Sequence, residues 1–321
     1  MSLNKRFRRA IVILLYYPFV ASAATKFVIC SLCDPRRLLG QDAEPDAHAG
    51  SLSYEGMSGK FSGTVVPLFM KRTDVESALP AELTILPEEE LPAWLQGRDD
   101  HPVILLVGKQ ENLGKRKRLL GEYRTVSLFG PYFETFVAIP FLKPRASEGP
   151  SPCFHFMRVP CSTLWPTELG VLCMGWPKIH CPMETTEHGQ VQTYRIKEKK
   201  GGKPWLTVET DLTDSVAVDG NHNALDKIRS MLSQPHVLVQ EGELVAYRFD
   251  LRFEAAVIKA VSASGTIHPG FLPWIHEPVD FAPPKITDSE FGAFRLETTF
   301  MNRRLATASG DAAGSPSAES K

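Results

Sequence analysis

The sequence predicts a β-rich α+β fold: a largely antiparallel sheet, closed or nearly closed on itself, carrying a few short helices. Three observations predict it. Runs rich in β-branched and aromatic residues recur along the chain between Gly, Pro, Asn and Asp punctuation, the pattern of short strands with tight connections. Only two segments combine helical spacing with start and stop signals. Strands do not alternate with helices in the β-α-β manner that builds a parallel sheet, which leaves an antiparallel sheet without open edges as the natural arrangement.

Taken in order, "GTVVPLFM" (63–70) reads as a first strand, and "RTDVESALP" (72–80) as a short helix with a Thr/Asp start and a proline stop. Strands follow at "PVILLVG" (102–108), "YRTVSLFG" (123–130), "TFVAIPFL" (135–142) and "CFHFMRV" (153–159). The apolar "TELGVLCMGW" (167–176) is expected to continue the series as a strand. "VQTYRIKE" and "PWLTVETDL" flank "KEKKGGKPW", a hairpin turn on paired glycines. "HNALDKIRSMLSQP" (222–235) has apolar residues on one helical face and ends at proline. Two last regions, 236–261 and 291–301, complete the strand set. There is no internal repeat at a solenoid period.

At 321 residues, with 43% apolar and 23% charged residues, the chain can bury a sizeable core. Its net charge of −1 gives no general attraction to nucleic acid, and no nucleic-acid partner is expected. The basic "GKRKR" (114–118) reads as a solvated loop. Residues 1–23 have a basic start, an apolar stretch too short for a membrane span and a small-x-small ending, the build of a secretory signal. Three alternatives stay open there: secretion with cleavage near Ala24, an uncleaved anchor, or a misassigned start with the protein in the cytoplasm. Residues 24–54 form a flexible segment, 55–303 a single domain, and 304–321 a small, polar, disordered tail. Of the six cysteines, Cys30 and Cys33 form a C-x-x-C outside any strand–turn–helix context. Cys153, Cys161, Cys173 and Cys181 lie among apolar neighbours, as core residues do, and with His155 and His180 match no zinc spacing, so no metal is expected.

One position stands out. In "LGVLCMGWPKIHCPM" (169–183) a single lysine, Lys178, sits between Met174, Gly175, Trp176 and Pro177 on one side and Ile179 on the other. Proline fixes its own backbone and extends the residue before it, so this lysine is held in an apolar setting. Burial favours the neutral, nucleophilic amine over the ammonium. In an extended segment His180 shares the face of Lys178, with Trp176 and Met174, and its titration range suits proton transfer.

"KFSGTVVPLFMKRTDVESALPAELTILP", "EYRTVSLFGPYF", "GWPKIHC" and the strand near "FGAFRLETTF" occur in the order and spacing of the acetoacetate decarboxylase-like family, which residues 55–303 resemble. The resemblance implies a β-barrel or cone, a ring-like homo-oligomer, no cofactor, and Lys178 as the Schiff-base nucleophile; a decarboxylase of this kind is itself a standard example of an activated lysine. The sequence departs from the family where a second lysine is common (Ile179) and where Gly-Arg-Glu is typical (Gly170-Val171-Leu172). Thr64, Leu105 and Thr125 occupy the places of the pocket's arginine and acidic residues, and Glu122, Arg124, Arg158 and Glu168 are the charged residues flanking the strands. The expectation is a carbon–carbon lyase, or a related aldol or dehydration enzyme, with Lys178 and His180 catalytic. Met174, Trp176, Thr64, Leu105 and Thr125 would line the site of a bulky apolar keto substrate, such as a polyketide- or terpenoid-like intermediate of secondary metabolism. The alternative is an inactive barrel that binds an apolar small molecule.

Overall fold

The computed structural model describes residues 56–119, 122–146, 149–199, 201–219, 223–240, 243–287 and 291–305. The expected leader, the 24–54 segment with Cys30 and Cys33, and the tail beyond residue 305 lie outside the described residues. Strand β1 (Gly56–Lys71) leads into helix α1 (Arg72–Ser77), β2 (Leu83–Ile85), β3 (Asp100–Leu119), β4 (Glu122–Ser127), β5 (Tyr132–Pro144) and β6 (Cys153–Cys161). Helix α2 (Leu164–Met174) follows, then β7 (Lys178–His180), β8 (Met183–His188), β9 (Val191–Lys197) and β10 (Pro204–Ala217). The last third holds α3 (Asn223–Leu232), β11 (His236–Gln240), β12 (Glu243–Leu251), β13 (Val257–Ile267), β14 (Val279–Phe281) and β15 (Phe294–Arg304).

Seven strands close a ring in the order β1-β3-β5-β6-β11-β12-β15, sealed where β15 pairs with β1. Its pairings are antiparallel except β6–β11, and β7 joins β6 in parallel. From β15 the sheet continues as β13-β10-β9-β8. One strand serves both parts: Phe300–Arg304 pair with β12 while Phe294–Glu297 pair with β13. The second run of strands packs over the outside of the ring.

Side-chain alternation then separates two cores. Phe61, Val65, Ile104, Leu106, Phe136, Phe156, Phe249, Leu296 and Phe300 face into the ring. Val66, Leu105, Val107 and Val137, their strand neighbours, face outward against Tyr194, Ile196, Leu206 and Val208 of the overlying strands. A strand such as β5 is therefore buried on both faces.

Two expectations change. "TELGVLCMGW" is mostly helix, not strand: residues up to Met174 belong to α2. A short apolar run without alternation fits either element. Pro166 sits in the first turn, where its missing N–H is harmless, and Gly175 ends the helix in the left-handed region at φ 66°. "GKRKR" is not a loop: it is the far end of β3, with Lys115–Arg118 paired to Tyr123–Val126 of β4. The hairpin at the paired glycines and the helices at 72–77 and 223–232 are found as expected.

Candidate active site

The approach to Lys178 is built by the end of α2. The N–H of Gly175 donates to Val171 O (3.1 Å) and that of Trp176 to Gly170 O (3.1 Å), folding the chain back beneath the helix. Pro177 extends it, and its carbonyl accepts the N–H of Val159 (3.1 Å), docking β7 on the edge of β6. Lys178 then lies opposite Val159, and His180 opposite Cys161. The lysine stem passes under α2 at Gly170: a Cβ there would stand 2.5 Å from Lys178 Cδ and 2.8 Å from Cε. The glycine in the helix is what lets the stem through.

The lysine head is buried in the ring. Its side chain is 4% exposed and its Nζ forms an ion pair with Oε1 of Glu134, which is fully buried. Glu134, on β5, pairs in register with Cys161 of β6, so the lysine reaches across a whole strand to meet it. The ammonium also lies 5.1 Å from the Trp176 ring centre and 5.7 Å from that of Tyr132, favourable positions for a cation over aromatic rings. Tyr132 donates its hydroxyl to Gln110 Oε1 (2.8 Å). Burial pushes the Glu134 carboxyl up from the usual carboxylate range, with the Lys178 charge opposing it. Burial, then the charge of Glu134, pushes the Tyr132 phenol well above its ordinary value. The same two causes, in the same order, hold the Cys161 thiol up at about 11. A cation, a carboxylate ready to take a proton and two neutral acids thus share one dry corner.

Further round the inner wall, other polar groups are buried without partners. Among the described residues, Trp176 Nε1, both ring nitrogens of His236 and both amide atoms of Asn302 have no hydrogen-bond partner, and no hydrogen bond of good geometry reaches either Glu134 oxygen. Each unmet buried donor or acceptor costs about 1–3 kcal/mol. A whole domain is stable by only about 5–15 kcal/mol. Gathered on one wall, such groups make it the candidate site.

The residues singled out in the sequence divide. Lys178 and Trp176 meet in the ring. Met174 ends α2, and Thr125 lies on β4 opposite Arg116; their side chains lie outside the described set. Thr64 and Leu105 belong to the other face: Thr64 shares a hydrogen bond with Thr210 (2.9 Å) under the overlying strands, and Leu105 packs in the outer core. His180 is exposed at the end of β7. Arg158 also faces outward, donating to Gly270 O (2.5 Å) beside Trp205 and Phe271, and Glu168 is half-buried on α2. Cys153, Cys161 and Cys181 are buried free thiols, as expected of core residues. Among the described residues no group of three or more His, Cys, Asp or Glu could hold a metal ion, and no helix is long and apolar enough to cross a membrane.

Sequence reading passed over Glu134 and His236, and took Gly170 only as part of a departure from the family pattern. The signal for Glu134 was a lone carboxylate in "YFETFVAIPFL", a strand otherwise apolar on both faces.

No protein-family model matches the chain, and no curated protein matches its sequence. Among solved structures it is similar to an acetoacetate decarboxylase at 9% identity, over 79% of this chain and 91% of that chain, with a TM-score of 0.45. It is similar to the acetoacetate decarboxylase of Legionella pneumophila at 10% identity, over 84% of this chain and 99% of that chain, with a TM-score of 0.46. An acetoacetate decarboxylase-like enzyme from Sphingomonas wittichii shares 13% identity over 83% of this chain and 100% of its own, with a TM-score of 0.47.

Proposed function

We propose that this chain is a divergent acetoacetate decarboxylase-like lyase that forms an imine between Lys178 and an apolar carbonyl substrate. The observation that carries the reading is the Lys178–Glu134 pair, buried inside the ring. A buried ion pair is weak support for stability, since its desolvation cost rivals its attraction; its retention is better explained by chemistry.

The steps use groups already in place. The ammonium passes a proton to Glu134, whose burial raises its hold on one, and the free amine attacks the substrate carbonyl carbon. Glu134 gives that proton to the departing hydroxyl, so loss of water from the carbinolamine leaves a protonated imine. For a β-keto acid, the electron pair of the breaking C–C bond moves into the imine, CO₂ departs, and an enamine remains. A proton taken up from water by Glu134 goes to the enamine carbon, and water hydrolyses the protonated product imine to free Lys178 as the ammonium. The sum is β-keto carboxylate plus one proton to ketone plus CO₂. Trp176, Phe136 and Phe156 would pack an apolar substrate body, their rings spaced 4.9–6.0 Å apart.

The test is borohydride reduction in the presence of a panel of ketones and keto acids, followed by peptide mapping. A reduced adduct on Lys178, absent in Lys178→Ala, supports the reading. Failure of every carbonyl compound to give that adduct overturns it. A second reading, an apolar binder without chemistry, draws on the aromatic interior. Saturable ligand binding with no adduct would select it.

A further inference from the structure

His236 opens β11 and points into the ring. Its ring is fully buried, stacked on Phe154 at 5.1 Å and 20°, 4.3 Å from Phe156 and 5.9 Å from Tyr247. Both nitrogens lack partners. Elsewhere in the chain buried histidines are tied down: His155 Nδ1 bonds Val237 O at 2.9 Å and His101 Nε2 bonds Pro140 O at 2.8 Å. His236 stands edge-on to Trp176, 5.8 Å between ring centres, and the Trp176 indole N–H is itself unpartnered. Trp176 also lies 5.1 Å from Lys178 Nζ. The indole therefore neighbours both the lysine head and the imidazole, and amine and unmet polar ring are joined through it on the inner wall.

From this arrangement we infer that His236, with the Trp176 indole N–H, is the anchor for a hydroxyl at the far end of the substrate, whose carbonyl sits at Lys178. The substrate class is a neutral or singly charged carbonyl compound with a flat apolar body and a distal phenol or alcohol.

The chemistry selects a hydroxyl. Burial among aromatic rings holds the imidazole in its neutral form, with one N–H donor and one bare nitrogen acceptor. The indole can only donate. A group that both accepts and donates satisfies them together, which a hydroxyl does and a carboxylate does not. A distal anion would also lack a counter-charge, because the lysine charge is already met by Glu134. Sites built to bond a hydroxyl reject the analogue lacking it strongly, since their polar groups are left unpaired.

This inference rests on the imine reading for the position of the carbonyl, and the experiment separates the two. Binding of 4-ethylphenol and ethylbenzene, neither able to form an imine, is measured by calorimetry on the full chain. Concentration-dependent borohydride trapping is measured for para-hydroxyphenylacetone and phenylacetone. The hydroxylated member of each pair should bind or trap at a concentration at least about tenfold lower. His236→Phe, which keeps the aromatic packing, should erase that preference. A hydroxyl preference without any lysine adduct would sink the imine reading and keep the anchor. Equal behaviour of both members with the native chain overturns the anchor, whether or not the variant folds, and so does a preference that survives in a folded His236→Phe.

Discussion

Lys178 meets Glu134 across an entire intervening strand, and the two close a buried ion pair that no local sequence relationship links. If Glu134 accepts the lysine proton, Glu134→Gln should keep the shape and lose the acceptor. Trapping of a ketone on Lys178 should slow by about 10²–10⁴-fold, the usual range for a removed general base. Time-resolved mass spectrometry of the reduced adduct measures it, and an unchanged rate would remove Glu134 from the mechanism.

Gly170→Ala tests the passage of the lysine stem. A helical glycine replaced by alanine gains about 1 kcal/mol in propensity. The added methyl, however, would land 2.5 Å from Lys178 Cδ and displace a stem tethered at both ends. Overpacking of about 1–3 kcal/mol outweighs the gain, so we expect a lower melting temperature and lysine trapping reduced at least about tenfold. Retention of full trapping would show that the stem has room to move.

Thr64 distinguishes the two faces of the ring. Thr64→Val removes the buried hydroxyl that bonds Thr210 and leaves its partner unmet, a cost of about 1–3 kcal/mol in urea unfolding. Because it faces the outer core, imine formation should be unaffected. A selective loss of trapping, with stability intact, would return Thr64 to the substrate site.

Acid should destabilise the chain before ordinary exposed carboxylates titrate. Burial lowers the His101 imidazole to about 4, and burial lowers His155 and His236 as well. For each, the unfolded chain binds its proton near pH 6.5 and the folded chain does not, so stability is full above pH 6.5 and falls as the pH drops toward 4. His101 alone accounts for about 3 kcal/mol of this loss. Unfolding at pH 7 and pH 4.5 should show a smaller difference in His101→Gln than in the native chain. Equal differences would place His101 elsewhere.

Acetoacetate should be a poor substrate. Glu134 is already engaged by the lysine, and Thr64 and Leu105 bring no charge and face away, so a small carboxylate finds little to hold it. Carbon dioxide release from acetoacetate should be at least about a hundredfold slower than from a β-keto acid with an aromatic body, because both lack a charged contact and only the larger acid offsets it by burying apolar area. Comparable rates for the two acids would contradict this.

Lys178 was legible because a lone cation in an apolar, proline-stiffened run is a local anomaly. Its partner was not, because β5 is buried on both faces and alternation there no longer tells inward from outward. Helix α2 was misread for a related reason: it is apolar nearly all round, so no amphipathic period gives it away. His236 followed a proline and opened a strand, with nothing nearby to show that four aromatic rings from distant segments would enclose it. Pairings set by ring closure are non-local, and the sequence carries them only as compatible patterns.

The pairing of β15 with β1 places Met57 beside Asn302. The beginning and end of the described domain are thus next-door neighbours, and the backbone is topologically close to a loop. Until β15 has left the ribosome, β1 lacks one of its two partners and the chamber wall is missing a stave, so the ring cannot close before that strand emerges. Once formed, however, the domain does not depend on where the loop is cut. A short linker joining residues 305 and 56, with new ends opened at the turn around Gly201, should yield a permuted chain that refolds to the same ring.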